Sequence, residues 1–249
     1  MKQMSVALAM VLSVLPLGGG GVRENHERRP NVLWAWERRE DLKSADPERF
    51  DVAELAATIT LAEGRVFVHR RMQPLQVAAD ATVIAVVRIE TGRRARLEQQ
   101  ELQLVENTVI EVAQNSPVRG LQIDFDATTA EREFYANLLR NLRRRLGQQE
   151  WISMTALASW CMHDDWLRDL PVNEAVPMLF ALGAGRAETE AYLASGADFR
   201  DPLCRDSVGV LLGDDHRLVP RGRRVYWFSN TAWNSANVAQ AVIEGRDLE

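Results

Sequence analysis

Apolar residues recur along this chain in two rhythms. Short runs with a period of two alternate with longer stretches in which apolar positions fall three and four apart. Residues 31–37 (NVLWAWE), 55–61 (LAATITL), 82–90 (TVIAVVRIE), 120–126 (GLQIDFD), 151–159, 175–180, 208–212 and 224–228 read as strands. Residues 66–71 read as an additional hairpin strand. Helical spacing appears over 94–115, where Leu97, Leu104, Val105, Val109 and Val112 share a face. A second helix carries Phe134, Leu138, Leu142 and Leu146 on one side. Thr128 and Glu131 form a capping box before it, and Gly147 suits its end. Shorter helices are predicted over 187–195, stopped by Gly196, and over 235–244.

Eight core strands with helices after several of them imply a mostly parallel sheet. Residues 30–249 have the length of a small, partly irregular (β/α)8 TIM-type barrel in one domain. The first connections lack clear helices. A doubly wound open sheet is the alternative, but no strand is followed by a Gly-rich dinucleotide loop, and no cofactor is expected.

Composition adds limits. Apolar residues make up 46% of the 249, enough for a large core, and charged residues 26%. The formal charge of −5 does not suggest electrostatic capture of nucleic acid. No apolar run reaches the roughly 18 residues of a spanning helix. The N-terminus reads as an export signal: Lys2, an apolar stretch from Ser5 to Leu17, then Gly18–Gly21. Residues 1–29 are therefore set apart as signal peptide and disordered N-terminus. The expected location is periplasmic or extracellular, with no stable membrane span after processing. In that setting Cys161 and Cys204 are either one disulfide or two small buried thiols.

The candidate chemistry lies at strand ends, where a barrel of this kind carries its sites. In the fourth strand, alternation puts Gln122, Asp124 and Asp126 on one face and Leu121, Ile123 and Phe125 on the other. Three polar side chains turned into a barrel need hydrogen bonds, partners or a ligand. Two carboxyls this close push one pKa upward, which suits a general acid. The competing reading pairs Asp124 with Arg88 and makes Asp126 a helix cap. Other strand ends add Trp36 and Glu37, Arg88 and Glu90, Trp160, and Trp227 with Ser229 and Asn230. Indoles suit packing against sugar rings, although any single Trp also fits a core. Arg88 suits a carboxylate or an anionic substrate.

Residues 31–38 (NVLWAWER), 120–127 (GLQIDFDA), 155–161 (TALASWC) and 174–180 (EAVPMLF) resemble a bacterial family catalogued as domain of unknown function 3142. The resemblance spans nearly all of the mature chain and implies no established activity. More distantly, the chain resembles chitinase-like family 18 glycoside hydrolases, whose fourth strand ends in D-G-x-D-x-D-x-E. With Gly120 on that glycine, Gln122, Asp124 and Asp126 take the last three acidic positions. Met178 and Phe180 similarly resemble the Met-x-Tyr-Asp of the sixth strand. Gln122 replaces an Asp, Asp126 replaces the general-acid Glu, and Phe180 and Ala181 replace the Tyr and Asp that position an acetamido group. The resemblance implies either hydrolysis of a glycan with Asp126 as general acid and Asp124 beside it, or a glycan-binding or envelope-assembly protein without catalysis. An ordinary two-carboxylate mechanism draws its second acid from Asp124, Glu37 or Glu90. A monomer acting on a polysaccharide or cell-envelope glycan is expected.

Weaker signals are read as structural. His163, Asp164 and Asp165 on one turn do not converge on a metal, and none is expected. His69 reads as surface. The Arg143–Arg145 run reads as a solvated helix face, and Arg221–Arg224 as a basic turn.

Overall fold

Eight parallel strands close on themselves in the computed structural model, which describes residues 30–115 and 118–249. The expected export segment, residues 1–29, lies outside the described residues. In chain order the elements are β1 (Asn31–Ala35), β2 (Glu40–Leu42), β3 (Phe50–Ala62), β4 (Arg65–Arg70), β5 (Leu75–Val77), β6 (Val83–Thr91), α1 (Gln99–Asn115), β7 (Leu121–Asp124), α2 (Arg132–Leu146), β8 (Ile152–Leu157), α3 (Ala158–His163), β9 (Glu174–Met178), α4 (Arg186–Ala194), β10 (Ser207–Leu211), β11 (Arg224–Phe228) and α5 (Ser235–Arg246). The barrel runs β1-β3-β6-β7-β8-β9-β10-β11, and β11 pairs back onto β1. Every pairing around the ring is parallel.

The irregular half of the barrel is its beginning. Helices follow β6, β7, β8, β9 and β11, whereas the first two connections carry short strands. One holds β2, which pairs with β5 in a separate two-stranded sheet. The other is the predicted hairpin, in which β4 runs antiparallel to β3. Three-residue strands show no readable period, so β2 and β5 leave no signal in the pattern.

Alternation within each strand sorts side chains into an inner and an outer core. Val32, Trp34, Ala53, Leu55, Ile84, Val86, Val176, Tyr226 and Phe228 fill the barrel. Outside, α1, α2 and α3 pack over β3, β6, β7 and β8, and α5 with Trp233 covers β1, β10 and β11. Strand β3 serves both cores. The register shifts between Leu55 and Ala57, a bulge that swaps faces, so Ala53 and Leu55 point in while Ala57, Ile59 and Leu61 point out toward α1. Gly209 makes room inside: a Cβ there would meet Met178 Sδ at 3.0 Å and Phe228 at 3.3 Å.

Charge also sits inside the barrel. At its lower end the Arg224 guanidinium is bonded to Asp51 and lies 3.7 Å from Glu174, and the Tyr226 hydroxyl donates to Glu174. Burial and the Glu174 charge push the Tyr226 phenol well above its ordinary range. Arg224 is thus a core residue, not part of an exposed basic turn, and Arg223 is buried too, donating to the Cys204 carbonyl. Arg143 departs from expectation in the same way. It is buried, and donates to the carbonyls of Pro171, Gly147 and Glu150 and to Asn173 Oδ1. Those carbonyls lie in loops that periodicity does not describe, so a clamp of this kind looks like a solvated arginine in the sequence.

The fifth barrel strand ends earlier than its pattern predicts. β8 stops at Leu157, and α3 takes Trp160, Cys161 and Met162 into the outer core. Cys161 and Cys204 are joined, with Cα atoms 5.9 Å apart and 43 residues of separation. Closing a loop of that length restricts the unfolded chain and stabilises the fold by about 2–4 kcal/mol. Oxidised protein is therefore expected to melt several degrees above the same protein in reductant, with intact mass rising by two hydrogen atoms on reduction. Equal melting temperatures and two free thiols in the oxidised preparation would contradict the bond.

Candidate functional site

The register of the sheet builds a polar row across the upper rim of the barrel. Thr58 of β3 stands opposite Arg88 of β6, and Arg88 opposite Asp124 of β7. Asp124 is the last residue of its strand and faces inward, 3% exposed. Its Oδ2 accepts from Arg88 Nη1 at 2.7 Å, and its Oδ1 accepts from the Thr155 hydroxyl at 2.7 Å. Both carboxylate oxygens are thereby occupied. Arg88 is shared further: its Nε donates to Glu90 Oε1 at 2.8 Å, and its guanidinium lies 5.8 Å from the Trp36 ring centroid. The two acidic partners hold Arg88 above the usual arginine range despite partial burial.

Below this row the interior is closed. Gln122 is fully buried, accepting from Trp34 Nε1 at 2.7 Å and donating to Ser153 Oγ at 2.9 Å. Trp34 packs against Trp36 and stacks on Phe228. Gln122 thus ties three strands together beneath the mouth.

Asp126 lies two residues past the end of β7, exposed at the mouth, with no hydrogen-bond partner among the described residues. Its carboxyl is pushed above the ordinary aspartate value, first by its partial enclosure in the mouth and then by the Asp124 charge, with Arg88 pulling the other way. The segment that carries it is fixed from behind. Glu131 Oε2 accepts from both the Thr128 amide and the Thr128 hydroxyl at 2.7 Å, in the turn leading into α2. Phe125 packs on Tyr135, whose hydroxyl donates to the Ile123 carbonyl.

The remaining predicted positions divide. Trp36 is half-buried at the mouth, and with Arg38, Phe180, Leu211, Phe228, Ser229 and Asn230 it lines a cleft of about 330 Å³. Met178 packs beneath that cleft in the inner core. Glu90 is exposed on the same face as Arg88. Glu37 is turned away to the loop after β4, where its Oε1 accepts from the amides of Met72 and Gln73. Trp160 and Trp227 are not brought to the mouth. Trp160 belongs to α3 and packs on Trp166 in the outer core. Trp227 alternates outward on β11 and packs beside His216 and α5. Both are essentially inaccessible.

Some contributors escaped the sequence reading. Thr155 follows from alternation, since it shares its face with Ser153. Arg38 gives no such signal; it donates to the carbonyls of Ser229 and Asn230 and to Glu40, and so joins the first strand end to the last. His163, Asp164 and Asp165 go to separate partners, Glu188, Arg132 and Arg168 with Arg200. Among the described residues no three His, Cys, Asp or Glu side chains are grouped to hold a metal. A larger cavity of about 550 Å³ lies between α4 and the loop after β10, and it contains neither Asp124 nor Asp126.

Comparison with known proteins agrees with this architecture. Residues 80–174, from before β6 to the start of β9, match the family described as "Domain of unknown function (DUF3142)". No curated protein matches the chain. A candidate chitinase A from Streptomyces coelicolor has a similar structure, with a TM-score of 0.51 at 14% identity, covering 72% of this chain and 75% of that one. A family GH18 chitinase from Chromobacterium violaceum aligns with a TM-score of 0.46 at 12% identity over 74% and 66% of the two chains. The spore cortex-lytic enzyme SleL from Bacillus cereus aligns with a TM-score of 0.43 at 15% identity, and this chain spans about half of its length. The first of these likenesses agrees with the closed (β/α)8 barrel and extends to the fold alone.

The two aspartates differ in what they do for stability, and thermal melts separate them. Asp124→Asn removes the charge that Arg88 is built around, and is expected to cost about 2–3 kcal/mol. For Asp126 the sign reverses. An acid whose folded pKa lies above its unfolded value stabilises the fold only at low pH, and loses that contribution as pH rises through the folded pKa. At neutral pH Asp126→Asn should therefore melt at or above wild type. A fall in melting temperature for Asp126→Asn equal to that for Asp124→Asn would show that Asp126 is a structural group.

Proposed function

We propose that the protein is an exported glycoside hydrolase acting on a polysaccharide or cell-envelope glycan at the open end of the barrel, with Asp126 as general acid. The observation that carries this reading is the contrast between two neighbouring carboxyls. Asp124 is buried with both oxygens bonded, while Asp126 is exposed, unpaired and shifted toward its protonated form. A leaving glycosidic oxygen needs a proton from a group that is accessible and keeps its proton to higher pH, and among the mouth carboxyls Asp126 has both properties. Asp124 then acts as a fixed negative charge that raises Asp126 and faces the positive charge developing on the sugar. Glu90 is the second carboxylate. It is exposed on the mouth side and held by Arg88, whereas Glu37 is engaged by two backbone amides. Trp36, Arg38 and Asn230 line the adjoining cleft, which supplies an indole edge and hydrogen-bonding groups for a sugar ring. The Cys161–Cys204 bond supports a location in an oxidising compartment, as the N-terminal pattern does.

A second reading keeps the glycan and drops the chemistry. Both oxygens of Asp124 and one of Glu37 are already committed within the protein, and Phe180 brings no polar group to the mouth. A binding or envelope-assembly protein needs no more than the cleft and its polar rim.

Purified protein incubated with chitin, peptidoglycan and exopolysaccharides separates the two. Hydrolysis is expected on one class, with Asp126→Asn losing at least about 100-fold in rate while still binding. Binding of wild type without any release of products would replace the hydrolase by the binder. The pH profile gives a further check. Because the acid works protonated, activity is lost as pH rises through the Asp126 pKa. Asp124→Asn removes one cause of that raised pKa and frees Arg88, so the alkaline limb should move to lower pH. A limb that stays in place would remove Asp124 from the account.

A further inference from the structure

The polar rim does not stop at the barrel. The upper half of β3 and all of β4 rise beyond it as a hairpin, and one face of that hairpin is covered by α1. The other face is open, and it is continuous with the mouth. Antiparallel register sets Thr58 opposite His69 and Thr60 opposite Phe67. Parallel register sets Thr58 opposite Arg88 and Thr60 opposite Glu90. Directly paired residues point to the same side of a sheet. Phe67, Thr60 and Glu90 therefore form one level row, and His69, Thr58, Arg88 and Asp124 the row beneath it. Asp126 follows two residues beyond Asp124, past the end of β7.

This face has an unusual content for a surface with nothing on it. Phe67 is 44% exposed, and the Arg65 guanidinium stands over its ring at 5.0 Å. Thr58 and Thr60 are only partly covered. The loop after β4 is fixed to the mouth: Arg71 donates to the carbonyls of Trp36 and Arg38, and Glu37 accepts from Met72 and Gln73. The hairpin is thus held in place relative to Trp36. A ring left 44% exposed under one guanidinium, with two hydroxyls and a carboxylate in line, matches what a sugar chain offers, an apolar ring face flanked by hydroxyls. With strands about 4.8 Å apart, Phe67 on β4 lies roughly 14 Å across the sheet from β7, the strand that leads into Asp126, further than one sugar ring reaches.

We propose that the open face of the β3–β4 hairpin is a distal glycan subsite, with Phe67 as its stacking platform, so that the occupant of the mouth is a chain several sugars long and not a mono- or disaccharide. This rests on the glycan reading given above and deepens it by naming the size class of the substrate. The subsite contributes affinity for length; it takes no part in bond cleavage.

Titration of the full chain with disaccharides and hexasaccharides of N-acetylglucosamine, N-acetylgalactosamine and glucose tests it. At least one hexasaccharide should bind more tightly than its disaccharide. Phe67→Ala should weaken that hexasaccharide about tenfold, the size of one stacking contact, and leave the disaccharide unchanged. Phe67→Trp should restore it. Val68→Thr, on the opposite face of the same strand, should change neither. If wild type bound a disaccharide and its hexasaccharide equally, or Phe67→Ala changed nothing, the distal subsite would fall while the mouth remained a glycan site. If none of the six sugars bound, the glycan reading itself would be overturned, and the subsite with it.

Discussion

The mouth of this barrel is organised around one partly buried ion pair, Arg88 Nη1 to Asp124 Oδ2 at 2.7 Å. A carboxylate that is 3% exposed cannot remain charged without compensation. Arg88 supplies the countercharge, and Thr155 takes the second oxygen. The pair joins neighbouring strands β6 and β7, and Thr155 extends the link to β8. With Asp124 thus fixed as an anion, the carboxyl two residues later lies in its field. Asp126 keeps its proton more readily first because the mouth partly encloses it and then because of that charge, with Arg88 pulling the other way. Arg88 also reaches outward to Glu90 and over Trp36, so one guanidinium sets the position of several groups on the rim.

The layers beneath are consistent with a mouth held rigid. Gln122 bridges Trp34 and Ser153, and the Arg224 cluster closes the lower end. None of these inner polar groups reaches solvent at the mouth. Their hydrogen bonds are internal, and they hold the strands at a fixed register from below. The separation of roles follows from depth: interior polar residues are matched to one another, and Asp126, the mouth carboxyl with no hydrogen-bond partner among the described residues, lies beyond the last strand residue.

Where the sequence was legible, a single physical rule decided the outcome. Alternation placed Gln122 and Asp124 on one face of the fourth barrel strand, and closure of the barrel makes that face the inside, whereas Asp126, expected on the same face, lies past the strand end and is exposed. The capping pair Thr128 and Glu131 marked the entry to α2. The same alternation misleads where a strand ends early. Trp160 counts as a strand-end residue only if β8 continues past Leu157, and the turn into α3 buries it elsewhere. Trp227 does lie near a strand end, but its parity on β11 points it outward, away from Phe228 and the mouth. Arg143 and Arg224 looked solvated because their partners are loop carbonyls and distant acids, which no local pattern encodes. The bulge in β3 is a further case. It reverses the faces of Ala57, Ile59 and Leu61, and thereby opens Thr58 and Thr60 to the mouth side.

The central claim is that Asp124, held charged by Arg88, raises Asp126 at the mouth, and carbon-detected NMR titration of the aspartate carboxyls tests it most directly. The account predicts that Asp126 titrates above the ordinary aspartate value of about 3.9, and that its midpoint falls when Asp124 is replaced by Asn. An Asp126 that titrates at or below the ordinary value, with no response to that replacement, would contradict it.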